Sequence, residues 1–293
     1  MFNKIIIHKN NLINNLKQVK QENPNSKICA MVKANAYGVG AEQVVQLLEE
    51  YVDFWGVACF FEAEKIKKLT NKQILIVGVL EKEFVDERFS YSCGSLEDIE
   101  YLINLSKPIR VHLKINSGMN RYGFKDLKQL KKGLDLILQS KLIIEGIYTH
   151  FATTDEYVEK QMKKFKKFIK LVNKFNFHPI IHADNSFVNE KFNHCLDMVR
   201  VGFSLYARSD GWFLPVHEIK TSIVEVQNIK NGELVGYDYR FVAKKDMKIA
   251  IVPVGYADGF DLKCVGMKLC VNNKYFKVLN VCMDCFMLDI TNI

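Results

Sequence analysis

The alternation of short apolar runs with helical segments between residues 28 and 203 limits the possible folds of this chain most strongly. The runs are rich in β-branched and aromatic residues, and most are followed by a segment with apolar residues at helical spacing. Strands are predicted at 28–32, 54–59, 74–79, 88–93, 110–115, 143–149, 179–183 and 198–202, and helices at 41–52, 61–69, 95–104, 125–139 and 156–175. Eight strands separated by helices predict a parallel sheet of α/β class. Their number favours closure into a (β/α)8 barrel of the TIM type, with an open doubly wound sheet as the alternative.

The pattern changes after about residue 214, where helical signals stop and β-like runs follow one another closely. These runs lie at 222–227, 248–254, 267–271, 275–279 and 285–290. The Asn-Asn pair in "VNNKYF" predicts a hairpin turn between two of them. We therefore predict a barrel domain at 9–213 and a C-terminal all-β domain at 214–293, with residues 1–8 pairing to the latter.

Composition and cysteine usage favour a reduced compartment. No apolar run approaches the ~20 residues of a membrane-spanning helix, and the first residues lack a signal-peptide core. The eight cysteines are scattered, which is typical of free thiols in a cytoplasmic protein. Cys282 and Cys285 in "CMDC" could be half of a zinc site or a redox pair, but no second ligand pair follows, so no metal is predicted. The net charge of +8 comes mainly from lysine. Its densest patch, at 160–175, is interpreted as an amphipathic helix rather than a nucleic-acid or membrane surface.

Chemically versatile side chains follow the predicted barrel strands, at the end where barrel enzymes carry their active sites. Lys33 comes directly after the first strand. Partial desolvation of such a lysine frees a neutral amine, which forms a Schiff base with a carbonyl such as the aldehyde of pyridoxal phosphate. A salt-bridged structural lysine is the alternative. The other residues at these strand ends are Tyr37, Arg121, His150, Asn185, Ser186, Arg200 and Gly202.

The stretch "VKANAYGVG" around Lys33 resembles the pyridoxal-phosphate lysine motif of alanine racemases. Six further stretches resemble later motifs of that family in the same order: "LKINSGMNRYGF", "THFATTDE", "HADNS", "RVGFSLY", "VGYADGF" and "CMDCFMLDI". The resemblance runs along the whole chain. It implies a pyridoxal 5'-phosphate-dependent isomerase that interconverts L- and D-alanine, supplies D-alanine for peptidoglycan and works as a homodimer with shared active sites.

The resemblance also implies roles for the cofactor-binding residues. Lys33 would hold the cofactor covalently, and Arg200 would hydrogen-bond its pyridine nitrogen. Because a guanidinium stays charged, it disfavours protonation of that nitrogen and so limits side reactions such as transamination. His150 would lie beside the ring. The phosphate region would be contacted by Tyr37, Asn185, Ser186, Gly202 and Phe203.

Racemisation needs two acid/base groups on opposite faces of the deprotonated α-carbon. The resemblance assigns these roles to Lys33 and to Tyr256 of the partner subunit, with Met283 and Asp284 of the partner subunit lining the substrate side. A free tyrosine has a pKa of about 10, so it needs a cationic environment near neutral pH. Arg121 would pair with the substrate carboxylate. A plain packing role for Tyr256 in the β domain is the alternative.

Lys114 matches a barrel lysine that is often carbamylated in this family, although Asn116 departs from the aspartate expected nearby. The family's pattern also continues past "MLDI" with a tyrosine at the cofactor phosphate. We therefore expect either a truncated form or a member that lacks this tail. Two other functions stay open: a non-catalytic pyridoxal-phosphate-binding protein, and a related amino-acid decarboxylase.

Overall fold

The computed structural model describes residues 3–153, 155–183, 194, 196–206 and 212–292. The chain divides into two compact units. One runs from His8 to Val216, and the other combines Met1–Ile7 with His217–Ile293. Asn185 and Ser186, both predicted to lie near the cofactor, fall outside the described residues.

The larger unit is a closed barrel of eight parallel strands, as predicted. Strands are numbered from the first strand of the chain, β1 (Lys4–Ile7), so that the barrel comprises β2 to β9. The barrel closes where β9 pairs with β2 in the register Cys29↔Arg200. The barrel strands are β2 (Lys27–Met31), β3 (Phe54–Val57), β4 (Gln73–Ile76), β5 (Phe89–Cys93), β6 (Arg110–Lys114), β7 (Ile143–Tyr148), β8 (Ile180–His182) and β9 (Met198–Val201).

Helices cover the barrel strands because their apolar residues recur on one face. In the longest helix, Val158, Phe165 and Val172 are buried whereas the lysines between them face outward, which confirms the amphipathic interpretation. Side-chain caps start two others: Ser95 accepts from the amide of Asp98, and Asp126 caps the next helix in the same way. The helices are α1 (Lys9–Glu22), α2 (Lys33–Tyr37), α3 (Ala41–Leu48), α4 (Phe60–Ile66), α5 (Leu96–Asn104), α6 (Leu127–Ile137), α7 (Tyr157–Lys174) and α8 (Phe203–Tyr206).

The smaller unit is all β, which confirms the change of class predicted for the C-terminal region. Its main sheet is antiparallel with the order β11-β12-β15-β14-β13, and a separate pair joins β1 to β10. Asn272 and Asn273 adopt positive φ angles of 49° and 62°, as the predicted hairpin turn requires. The strands are β10 (His217–Lys220), β11 (Glu225–Ile229), β12 (Met247–Val252), β13 (Lys268–Val271), β14 (Lys274–Val281) and β15 (Phe286–Asp289).

Within the described part of the chain, no helix combines the length and the apolar composition needed to cross a bilayer.

Candidate active site

A cavity of about 310 Å³ lies at the C-terminal ends of the barrel strands. Its walls come from the ends of β2, β3, β4, β6, β7 and β9 and from the loops that follow them. Eight of the residues predicted from the sequence line it: Lys33, Tyr37, Lys114, Arg121, His150, Arg200, Gly202 and Phe203. The structure therefore brings together residues that are up to 170 positions apart in the sequence.

Lys33 stands at the start of a left-handed turn. Ala34, Asn35, Ala36 and Tyr37 all have φ between 51° and 58°, which costs about 1–2 kcal/mol for each non-glycine residue. Side chains hold the turn in place, because the Asn35 carboxamide oxygen accepts from the amide of Ala41 at 3.0 Å. The turn fixes where the Lys33 side chain leaves the backbone.

The Glu62 carboxylate ties this turn to the neighbouring strand end. One of its oxygens accepts from the amide of Ala34 at 2.7 Å, and the other accepts from the amide of Ala58 at 2.7 Å. Both Lys33 and Ala58 line the cavity, so this bridge sets the separation of two of its walls.

Gly202 leaves the space that Tyr37 fills. A β-carbon at position 202 would overlap the hydroxyl and ring of Tyr37, so the aromatic ring could not lie where it does. The Tyr37 ring stacks on Tyr206 with ring centroids 5.1 Å apart, and burial raises the pKa of Tyr37. The absence of a side chain at Gly202 therefore lets the Tyr37 ring lie directly against the backbone in the cavity wall.

Arg200 is buried beneath the cavity and its guanidinium is held from several directions. It donates to the carbonyl oxygens of Thr149 at 2.9 Å and Ala183 at 3.0 Å, and to Nδ1 of His182 at 2.6 Å. The guanidinium carbon lies 5.0 Å from the centre of the Tyr148 ring. A permanently charged group is thus fixed at the cavity floor.

His150 lies beside Arg200 as a neutral imidazole. Burial, followed by the charge of Arg200, lowers the pKa of His150 to about 3. The charges of Arg121, Lys114 and Lys33 act in the same direction. The Arg200 guanidinium is 3.5 Å from Nδ1 of His150. Because arginine only donates, this contact makes Nδ1 the acceptor and leaves the proton on Nε2.

Lys114 is buried at the base of the cavity, with its ammonium 3.6 Å from the centre of the Tyr122 ring. Burial, followed by the charge of Arg121, lowers the pKa of Lys114 to about 7. A substantial fraction of Lys114 is therefore a neutral amine at neutral pH. Nearby, the side-chain nitrogen of Asn116 is buried without a hydrogen-bond partner among the residues that the structure describes.

The cavity lining carries four cationic side chains, and no carboxylate lines it within the described residues. This lining fits pyridoxal phosphate. An amine for the aldehyde is present at Lys33, a fixed donor for the ring nitrogen at Arg200, and the hydroxyl of Tyr37, next to Gly202, for the phosphate.

Tyr256, Met283 and Asp284 lie in the smaller unit, on two loops that contact each other. The amide of Tyr256 donates to the carbonyl of Cys282 at 3.0 Å, and the amide of Ala257 donates to the carbonyl of Met283 at 2.9 Å. The side chains of Tyr256 and Met283 are exposed. The two loops therefore present these side chains together at the surface of this unit.

Several residues of the barrel interior were not singled out from the sequence. Tyr122 and Tyr148 line the cavity, while His112, Glu145 and His182 form a hydrogen-bonded chain behind Arg200. The available signal is a polar residue inside an otherwise apolar barrel strand, as in "RVHLK" and "PIIHA".

Comparisons with known proteins find matches for both parts of the chain. The family model for the alanine racemase N-terminal domain matches residues 7–210, and that for the C-terminal domain matches residues 216–293. An alanine racemase of Francisella philomiragia is 33% identical over 279 residues, which cover 87% of this chain and 75% of that protein.

Solved structures share the fold. An alanine racemase of Clostridium difficile 630 superposes with a TM-score of 0.90 at 29% identity, covering 100% of this chain and 84% of that chain. An alanine racemase of Bartonella henselae with covalently bound pyridoxal phosphate has a TM-score of 0.88. It covers 100% of this chain and 87% of that chain, and at 23% identity it supports the fold alone.

Proposed function

Because the chain belongs to the alanine racemase family, we propose that it interconverts L-alanine and D-alanine with pyridoxal 5'-phosphate as its cofactor. The observation that carries this proposal is the convergence of Lys33, Arg200 and Arg121 on one cavity at the C-terminal end of the barrel. An amine and two guanidinium groups there match an aldehyde, a pyridine nitrogen and a substrate carboxylate.

We propose that Lys33 holds the cofactor covalently. Tyr37, Gly202, Phe203, Asn185 and Ser186 would hold its phosphate. When bound, the cofactor withdraws electrons from the substrate α-carbon and makes its C–H bond acidic. Arg200 would donate to the pyridine nitrogen without giving up its proton, so the nitrogen would stay unprotonated.

Two protein groups then move the α-proton in this proposal. Nζ of Lys33, released when the substrate amino group replaces it on the cofactor, would take or return the proton on one face, and the phenol oxygen of Tyr256 of the partner subunit would do so on the other. The neutral His150 supports this step because its Nε2–H is free to donate to the phenol oxygen while Nδ1 accepts from Arg200. Arg121 orients the substrate by pairing with its carboxylate.

Lys114 is the proposed site of carbamylation. A neutral lysine amine reacts with carbon dioxide, and the lowered pKa of Lys114 keeps part of the amine neutral. The partnerless side-chain nitrogen of Asn116 is a suitable donor to the carbamate that would result. The carbamate would also bring negative charge next to Arg121 and so hold that guanidinium toward the substrate.

We propose a cytoplasmic homodimer in which Met283 and Asp284 of the partner subunit line the substrate side. In this homodimer, residues 9–213 of each subunit would form the cofactor-binding domain and residues 214–293 the β domain. The D-alanine that is formed would serve peptidoglycan synthesis.

Lys33→Ala tests the central step. The protein loaded with pyridoxal phosphate should show the visible absorbance of a lysine-bonded cofactor and should form D-alanine from L-alanine. Lys33→Ala should lose both. Lys68→Ala, which removes an exposed lysine of the barrel unit, should keep both.

A second readout separates cofactor binding from turnover. In deuterated water, the wild-type protein should exchange the α-proton of alanine. A protein that binds the cofactor through Lys33 yet exchanges no α-proton on alanine or serine is not a racemase.

A further inference from the structure

A line of hydrogen-bonded side chains runs through the barrel interior behind the cavity. We call Arg200, His182, His112 and Glu145 the polar column. Arg200 donates to Nδ1 of His182 at 2.6 Å. Nε2 of His182 lies 2.8 Å from Nδ1 of His112, and Nε2 of His112 lies 3.0 Å from a carboxylate oxygen of Glu145. Of these four residues, only Arg200 lines the cavity.

The two ends of the polar column set the direction of every hydrogen bond in it. Arginine has donors only, so Nδ1 of His182 must accept and its proton must lie on Nε2. Nδ1 of His112 then accepts from His182, and its Nε2–H donates to Glu145, whose carboxylate only accepts. The column therefore consists of a cation, two neutral imidazoles polarised in the same sense, and an anion.

Burial supports this arrangement of charges. Both histidine rings are fully buried, and burial lowers the pKa values of His112 and His182, so both stay neutral. Burial works against ionisation of Glu145, but hydrogen bonds from His112 and Ser90 hold the pKa of Glu145 below its ordinary value. Arg110 also lies 3.7 Å from this carboxylate.

The packing of the barrel makes room for the column. Gly146 pairs with His112 across β6 and β7, and a β-carbon at position 146 would overlap the His112 ring. The His182 ring stacks on Tyr148 with centroids 4.7 Å apart and an interplanar angle of 8°. The Phe54 ring meets His112 edge-on. Neither imidazole can turn over without displacing one of these neighbours.

We propose that Glu145 is a positioning residue for Arg200 and acts through the two histidines between them. Its carboxylate accepts from His112, and this fixes an acceptor nitrogen opposite the guanidinium at the far end of the column. If the side chain at position 145 could donate as well as accept, every hydrogen bond of the column could reverse its direction. Nδ1–H of His182 would then face the donors of Arg200, and the guanidinium would have to move. The role in catalysis rests on the proposed function, in which Arg200 faces the cofactor.

The direction of the column is measurable in the wild-type holoprotein. Nitrogen-15 spectra of labelled histidine rings should show His112 and His182 neutral, each with its proton on Nε2, with assignments taken from His112→Gln and His182→Gln. A proton on Nδ1 of either ring, or a doubly protonated ring near neutral pH, would overturn the proposal.

Glu145→Gln tests the carboxylate, because glutamine keeps the shape but can donate as well as accept. We expect mixed ring tautomers at His182, and pyridoxal phosphate retained about tenfold less tightly, with a changed absorbance spectrum. Glu145→Asp keeps an acceptor-only group and should restore the ring pattern, in part or fully. Glu87→Gln removes a barrel carboxylate whose ion pair with Lys107 lies outside the column, and should behave as wild type.

A Glu145→Gln protein with wild-type His182 tautomers and a cofactor affinity within about twofold of wild type contradicts the proposal. The nitrogen spectra do not depend on turnover. If they show the expected direction and the wild-type protein fails to racemise alanine, the proposed function fails while the role of Glu145 in positioning Arg200 stands.

Discussion

Burial among like charges decides the protonation of single residues in this cavity. Lys114 and His150 are both surrounded by the cations of the cavity lining, and the pKa of each is lowered, to about 7 and about 3. Each is therefore available as a neutral nitrogen at the pH where an unperturbed lysine is fully charged. The neutral form is the one that accepts a proton or reacts with an electrophile.

Because the pKa of Lys114 is lowered, the free energy of unfolding should depend on pH. The folded state disfavours the charged amine, so the destabilisation is full below pH 7 and disappears as the pH rises toward 10.5, the ordinary lysine value. Lys114→Met removes this effect. In urea unfolding without carbon dioxide, wild type should gain stability relative to Lys114→Met over that range, on the order of 4 kcal/mol.

The matched control for this measurement is Lys132→Met, which changes an exposed lysine on α6. Its stability difference from wild type should not vary with pH. A wild-type protein that shows no gain relative to Lys114→Met between pH 7 and 10.5 would mean that Lys114 stays charged in the fold.

At the scale of elements, the left-handed turn α2 stores unfavourable backbone energy beside the lysine that it carries. Ala34 is exposed and has a φ of 51°, a conformation that glycine adopts freely and a β-branched residue resists. Ala34→Gly should stabilise the protein by about 0.5–1 kcal/mol, and Ala34→Val should destabilise it by more than about 1 kcal/mol. Thermal unfolding measures both changes.

The control substitution, Ala63→Gly, should change the stability in the opposite direction to Ala34→Gly. Ala63 lies buried in the right-handed helix α4, where glycine costs about 1 kcal/mol in helix propensity and also loses a buried methyl group. If Ala34→Gly and Ala63→Gly lower the unfolding temperature alike, the turn at residue 34 is not left-handed in solution.

The elements that the sequence predicted are those with a local signal. Parallel barrel strands are buried on both faces, so they form continuous apolar runs that can be located without a structure, as at Phe54–Val57. Helix α1 (Lys9–Glu22) was not predicted because its buried leucines stand among asparagines, which favour helices poorly. Strand β10 (His217–Lys220) is exposed along its whole length and has no buried face to produce an alternation.

The candidate site also contains residues that could be located from the sequence and residues that could not. Lys33 follows an apolar run and Arg200 lies near the end of one, so their strand-end positions could be predicted from the sequence. The left-handed turn could not, because no glycine marks residues 34–37. The contact between His112 and His182 joins residues 70 positions apart, and such a pairing depends on barrel register rather than on any local pattern.

At the scale of the whole molecule, the proposed homodimer predicts complementation between two inactive chains. If each active site combines Lys33 of one subunit with Tyr256 of the partner subunit, a mixed dimer of Lys33→Ala and Tyr256→Phe chains keeps one intact site. Co-expression with random pairing should restore about a quarter of wild-type racemisation. Each variant alone should be inactive, and a mixture as inactive as either variant would place both groups in one chain.

The polar column has a consequence for how this barrel can diverge. A single apolar replacement at position 112, 145, 182 or 200 leaves a hydrogen-bonding group or an ion of the column without its partner. Replacing several members at once with apolar residues of similar volume avoids that conflict. The effects of apolar mutations at these four positions should therefore be strongly epistatic, and joint replacement should destabilise the barrel less than the sum of the single replacements.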